Sequence, residues 1–180
     1  MKTIKNTFLA LFVAMIVFSC NSGPTLQTYF VDHQETPDFT SADIPTNIVK
    51  FDTASLSDRQ LNAYNSVERL NFLGFKVSET NKELYNKELD KIKVILEDKR
   101  YNDLIEFNDR GKKVVVKYIG DNDAADELIV FGSSADLGFG IVRVLGDDMK
   151  PSDMASLVKA LDHADVDGEQ LQSIADFFKQ

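Results

Sequence analysis

Between Lys112 and Leu145 the apolar side chains gather in three short runs that read as strands, Lys112–Ile119, Glu127–Phe131 and Phe139–Leu145. Val114, Val115, Val116 and Ile119 crowd the first, and β-branched residues recur in the others at Ile129, Val130, Ile141, Val142 and Val144. Side chains branched at Cβ lose rotamer freedom in a helix and fit a pleated, half-buried surface better. Turn-rich joints, Gly120-Asp121-Asn122-Asp123 and Ser133-Ser134-Ala135-Asp136, separate the runs. Connections this short favour antiparallel neighbours, because a parallel return needs a long crossover. The pattern predicts an antiparallel meander around which the rest of the chain packs.

The flanking segments read as a mixture of periods. Leu26–His33 places Leu26, Tyr29 and Phe30 on one side of a short helix, and Asp38–Asp43 is a weak strand. Pro45 suits the first position of a helical turn running through Phe51. Ser57-Asp58-Arg59-Gln60 has the form of a capping box, with Leu56 and Leu61 placed for a hydrophobic staple, and opens a helix ending near Asn65. Leu70–Phe75 is a strand with Leu70 and Phe72 on one face and Leu73 and Phe75 on the other. Thr80-Asn81-Lys82-Glu83 is a second capping box. It opens the best-marked helix, in which Tyr85, Leu89, Ile92 and Leu96 recur at helical spacing. Tyr101–Phe107 reads as a short extra helical turn, closed by Asn108-Asp109-Arg110-Gly111. Pro151 opens a helix to about Leu161, and Asp167-Gly168-Glu169-Gln170 caps a last helix carrying Leu171, Ile174, Phe177 and Phe178. The expected fold is α+β: an antiparallel sheet of four to five strands with helices packed mainly on one face. Residues 26–180 form a single domain.

The N-terminus has a different character. Lys2 and Lys5 precede the apolar run Phe8–Phe18, which at eleven residues falls short of the roughly 20 that a membrane-spanning helix needs. It has the length of a signal-peptide core. Ser19-Cys20 follows, then polar Asn21-Ser22-Gly23-Pro24. This arrangement resembles a bacterial lipoprotein signal, in which a small residue precedes a cysteine that is lipidated and becomes the first residue of the mature chain. The chain's single cysteine stands at the one position such a signal requires. Residues 1–19 are therefore expected to be removed and Cys20 to carry fatty acyl chains such as palmitate, with residues 20–25 as a lipidated tether. Two or more acyl chains, at about 0.8 kcal/mol per buried CH₂, anchor a protein stably. The expected location is the bacterial cell envelope, on the outer or inner membrane and facing the periplasm or the surface. A mature chain without a free thiol has no disulfide, no cysteine nucleophile and no cysteine metal site.

Apolar content of 43% and charged content of 27% over 180 residues suit one well-formed core. Net charge is −9, and loss of Lys2 and Lys5 takes it to −11. With no basic run longer than Lys112-Lys113, nucleic acid is not an expected partner, since that affinity comes mainly from Lys and Arg at phosphates.

Few residues suggest chemistry. Asp162-His163-Ala164-Asp165-Val166-Asp167-Gly168 superficially resembles a calcium loop. With Gly168 at position six, however, His163 falls at position one and Ile174 at position twelve, where oxygen ligands are required. A helix connection with an Asp cap explains the same letters. Asp121-Asn122-Asp123 reads as a turn before a cation site. Asp147-Asp148 reads as an acidic helix start, favoured by the helix dipole, before an acid/base pair. Gly138-Phe139-Gly140 lacks the third glycine of a dinucleotide fingerprint and suits a strand entry. Arg143 shares a strand face with Ile141 and Leu145, as a snorkelling or edge arginine does; it is the one candidate for an anion or ligand contact. Neither a G-x-S-x-G nor an H-E-x-x-H motif occurs, and His33 and His163 are the only histidines. No catalytic residue, metal or cofactor is expected.

The stretches Ser55–Gln60, Leu70–Lys76, Tyr101–Ile105, Asp126–Val130 and Val144–Met149 resemble a family of small bacterial envelope lipoproteins known only as a domain of unknown function. The resemblance covers most of residues 25–178. It implies a single α+β domain and, from gene neighbourhoods near extracytoplasmic sigma factors, a role in envelope stress sensing. It carries no functional residue over to this chain. The expected function is therefore a lipid-anchored, non-catalytic protein-interaction or stress-sensing module with an envelope protein as partner. The alternative is a small-ligand-binding protein or weak hydrolase of the periplasm, with a polar pocket around Arg143.

Overall fold

A computed structural model describes residues 23–46, 49–50, 56–109, 112–160 and 165–166. Among the described residues four helices and eight strands follow in the order α1 (Leu26–His33), β1 (Phe39–Pro45), β2 (Val49–Lys50), α2 (Asp58–Asn65), β3 (Val67–Lys76), α3 (Lys82–Leu96), β4 (Asn102–Asp109), β5 (Lys112–Gly120), β6 (Ala125–Ser134), β7 (Gly138–Met149), α4 (Pro151–Ala160) and β8 (Asp165–Val166). Six strands form one sheet in the order β1-β3-β7-β6-β5-β4, antiparallel throughout, and β2 pairs with β8. The expected meander is present as β5-β6-β7. Its strands run further than the apolar runs predict, because the backbone pairing extends past the last buried side chain to Ser134 and Gly138.

The sheet has six strands where four to five were expected. The sixth is β4, which replaces the helical turn expected over Tyr101–Phe107. Ile105 and Phe107 pair along β5 instead, opposite Val116 and Val114, with Leu104 at a shift in the register. A short apolar run is ambiguous between the two periods, and the neighbouring edge of β5 decides it by supplying backbone partners. Of the helical turn expected from Pro45 through Phe51, Thr46 has 3-10 helical geometry, Val49–Lys50 form β2, and Asn47, Ile48 and Phe51 lie outside the described residues. Pro45 closes β1, an edge strand, where a residue without an N–H is tolerated.

Helices cover both faces of the sheet, not mainly one. On one face α1 and α3 pack Leu26, Tyr29, Phe30, Tyr85 and Ile92 against Leu73, Phe75, Phe131, Phe139 and Ile141. On the other, α2 and α4 bring Ala63, Met154 and Leu157 to Val116, Leu128 and Val144. The central strands β3 and β7 are consequently apolar on both sides, a pattern that hides how many layers lie above them.

The capping box at α2 forms: Ser57 accepts from the Gln60 backbone N–H, and the Gln60 side chain accepts from the Ser57 N–H at 2.9 Å. The one expected at α3 does not. Asn81 is the cap residue and makes no side-chain bond to the helix; its side-chain oxygen accepts from the Ser78 N–H at 2.7 Å instead. Gly138 enters β7 at φ 118°, and a Cβ there would lie 1.9 Å from the Phe75 carbonyl oxygen, so only glycine fits this crossing. Among the described residues no helix is long and apolar enough to cross a membrane.

Candidate functional site

Arg143 lies on β7, the third strand in from the β1 edge, and its flanking partners are Asn71 on β3 and Ile129 on β6. A guanidinium in a central strand has no route to bulk water along the sheet, and Arg143 is 8% exposed. Its charge is met from the same sheet face. Glu127, one step along β6, accepts from Nε at 2.6 Å and from a terminal guanidinium nitrogen at 2.9 Å. This forked, two-bond geometry is the strongest form of the Arg–carboxylate contact. Phe30 of α1 closes the other side, with its ring centre 5.3 Å from the guanidinium carbon.

The row continues to both edges. Asp43 on β1 stands opposite Asn71, whose amide donates to its carboxylate, and Lys117 on β5 pairs with Asp103 on β4 at 2.5 Å. One register step away, the row Ser41–Leu73–Ile141–Phe131 is mainly apolar. The sheet therefore changes from greasy to polar within one residue spacing, and α1 straddles that boundary. The helix is held there by Leu26, Tyr29 and Phe30 beneath it, and by the Leu26 backbone N–H donating to the Tyr101 hydroxyl at 3.0 Å. Burial pushes the Tyr101 hydroxyl above the usual phenol range, and the bond from Leu26 opposes that shift. Between α1 and the β1–β3 edge remains a cleft of about 280 Å³, with Arg143 and Asn71 in its floor and Gln27, Val31 and Gln34 on the helical rim.

A second polar cluster lies between α1 and α3. Glu88 is 3% exposed and occupies the apolar stripe of α3. Its carboxylate accepts from the Tyr29 hydroxyl at 3.1 Å and from Lys91 at 2.7 Å, and His33 Nε2 lies 3.3 Å away. The other ring nitrogen of His33 meets the Tyr29 carbonyl at 2.8 Å. Burial, with the Glu88 charge and hydrogen bond added, pushes the Tyr29 hydroxyl far above the phenol range. A groove of about 510 Å³ runs beside this cluster, walled by Pro24, Thr28, Val94 and the stems of Lys87 and Lys91.

The other residues singled out from the sequence take plain structural places. Asp121 and Ala124 exchange backbone hydrogen bonds at the β5–β6 turn, and Asn122 accepts from the Tyr118 hydroxyl. Asp147 and Asp148 lie at the end of β7, not at a helix start; Asp148 adopts φ 52°, and the Asp147 N–H donates to the Ser66 carbonyl. Gly138 and Gly140 are strand residues, as expected. Cys20, His163 and most of the Asp162–Gly168 loop lie outside the described residues, as does the last helix expected from Asp167. Among the described residues no group of three or more His, Cys, Asp or Glu gathers as metal ligands would.

The sequence profile of the family described as a domain of unknown function (DUF4252) matches residues 29–157. The chain belongs to this family. No curated protein and no solved structure matches it. The DUF4252 region spans the whole six-stranded sheet and takes in Arg143, Glu127 and Glu88 alike. Reading the sequence found Arg143 but missed both glutamates. The signal was present: Glu127 alternates with Ile129 and Phe131 on a strand, and Glu88 falls four residues before Ile92 in the helical stripe. A carboxylate on an apolar face needs a buried partner.

Proposed function

We propose that this DUF4252 protein is a lipid-anchored component of the bacterial cell envelope, held to a membrane through Cys20, and that its folded domain is an interaction module for an envelope protein partner. Stress sensing is the physiological role that the family resemblance suggests. The observation that carries the interaction reading is the β4 edge. Among the described residues this strand pairs with β5 alone, and it exposes Phe107 by 57% and Ile105 by 37%. A large aromatic held in water on a sheet edge is an aggregation hazard unless something covers it. Behind it lies room: Phe107, Val114 and Gly132 form one row across β4, β5 and β6, and a Cβ on Gly132 would meet nothing within 4 Å.

The occupant we infer is an extended segment of the partner that adds to β4 as a further strand, a common mode of peptide recognition. Its apolar side chains would cover Ile105 and Phe107. Its charged positions would be basic, matching a chain with net charge −9. A photocrosslinking amino acid in place of Phe107, in cells making the full chain, should capture a discrete protein partner, while the same group at exposed Val94 on α3 should not. Equal capture at both positions, or none at Phe107, would refute the reading. A Cys20→Ala chain should leave the membrane fraction; its retention there would refute the anchor.

A further inference from the structure

We propose that the cleft between α1 and the β1–β3 edge is a binding site for an uncharged, polyhydroxylated ring compound of one or two sugar units. The inference stands apart from the β4 reading, since it uses the opposite face and the opposite edge of the sheet.

The ligand class follows from charge and hydrogen-bonding capacity. An anion would have to be held by Arg143, but the guanidinium fork is already occupied by Glu127 at 2.6 and 2.9 Å. Asp43 adds a further negative charge to the cleft wall, so the site as a whole repels anions. A cation would face Arg143 in the floor, while the one carboxylate it could use already accepts from Asn71. A wholly apolar ligand would cover the Arg143 guanidinium donors that lie outside the Glu127 fork and offer them no acceptor, at a cost that apolar contact here does not offset. What the cleft does offer is a set of neutral donors and acceptors. Gln27 and Gln34 are exposed on the helical rim, seven residues and two turns apart on one side of α1, facing Asn71 and Ser41. Each carboxamide presents a donor and an acceptor in one plane, which matches neighbouring hydroxyls or an acetamide. Arg143 retains donors beyond the two in the fork, and its planar group is fixed between Glu127 and Phe30. Val31, 63% exposed on the same rim, supplies an apolar surface for the C–H face of a ring. The volume, about 280 Å³, lies at the lower end of the range for small-molecule sites and limits the ligand to one or two rings.

The test uses the full chain in a detergent without a sugar headgroup, with amide resonances followed by NMR. The probes are maltose and N,N′-diacetylchitobiose as neutral disaccharides, with inorganic phosphate and spermidine as charged controls. At least one disaccharide should give saturable shifts at Gln27, Gln34, Ser41 and Asn71 and at the Arg143 Nε–H, while phosphate and spermidine leave them in place. Gln27 and Gln34 are exposed, so a Gln27→Ala/Gln34→Ala chain keeps its fold and its thermal midpoint; its affinity for the disaccharide should fall at least fivefold. The proposal is overturned if neither disaccharide saturates those resonances. It is equally overturned if phosphate or spermidine binds there instead, or if the double variant binds the disaccharide as tightly as the parent.

Discussion

Breaking the Arg143–Glu127 pair tests the energetic reading of the sheet most directly. Both residues are 8% exposed and joined by two charge-assisted hydrogen bonds. A Glu127→Leu substitution strands the guanidinium between Phe30 and the sheet with no counter-charge. Removing one partner of a buried pair costs about 3–5 kcal/mol, because the remaining ion has lost water without compensation. With a urea m-value of about 2 kcal/mol per molar, a loss of that size lowers the unfolding midpoint by about 2 M. The double variant Glu127→Leu/Arg143→Met behaves differently. Two apolar side chains of similar bulk replace the pair, and such exchanges are often neutral or stabilising. Equilibrium urea unfolding, followed by circular dichroism, should therefore show the double variant recovering most of what the single one lost. Asp90→Ala supplies the surface reference: its pair with Lys93 is exposed, and the expected cost is below about 1 kcal/mol. The reasoning fails if Glu127→Leu costs no more than Asp90→Ala, or if the double variant loses as much as the two single variants added together.

Three further predictions rest on other parts of the fold. Gly138→Ala forces a Cβ into the Phe75 carbonyl at φ 118°; the backbone conformation alone costs about 1–3 kcal/mol, and thermal unfolding should show a clear loss against Gly132→Ala, where the space is open. Ser57→Ala removes the cap from α2 and should cost about 1 kcal/mol, with hydrogen exchange accelerating at Gln60 and little change in α3. Tyr29, Tyr85 and Tyr101 all have hydroxyls raised above the ordinary phenol value, chiefly by burial. Folded pKa values above the unfolded one mean that their contribution is complete below about pH 10 and is lost as pH rises beyond it. An ultraviolet titration should thus show these three tyrosines ionising only as the circular dichroism signal of the fold disappears; ionisation of all five before unfolding would contradict their burial.

Much of the fold was legible wherever one physical signal acted alone. The β5-β6-β7 meander followed from β-branching and short turns. Helix α2 followed from a capping box that satisfies its own backbone donors. Helix α4 followed from a proline at its first position and runs through Ala160, beyond which Leu161 lies outside the described residues. These are local effects: the atoms that decide them lie within a few residues of one another. The second box, Thr80–Glu83, shows the limit even of local signals, because Asn81 found a better partner in the Ser78 N–H just before the helix.

What the chain could not announce depends on residues distant in sequence. Leu104-Ile105-Glu106-Phe107 suits a helical turn or a strand, and the free edge of β5 selected the strand. That the central strands are apolar on both sides says that they are covered, not by what; only packing placed α1 and α3 above and α2 and α4 below. Arg143 was visible as a polar residue on an apolar face, but its neutralisation depends on Glu127, sixteen positions away, and its cleft on a helix that precedes it by more than a hundred. Sequence alone determined the elements whose hydrogen bonds close locally. Tertiary structure decided the sheet's width, its two helical layers and its polar row, because burying a charge is a long-range bargain between strands that meet only when the chain is folded.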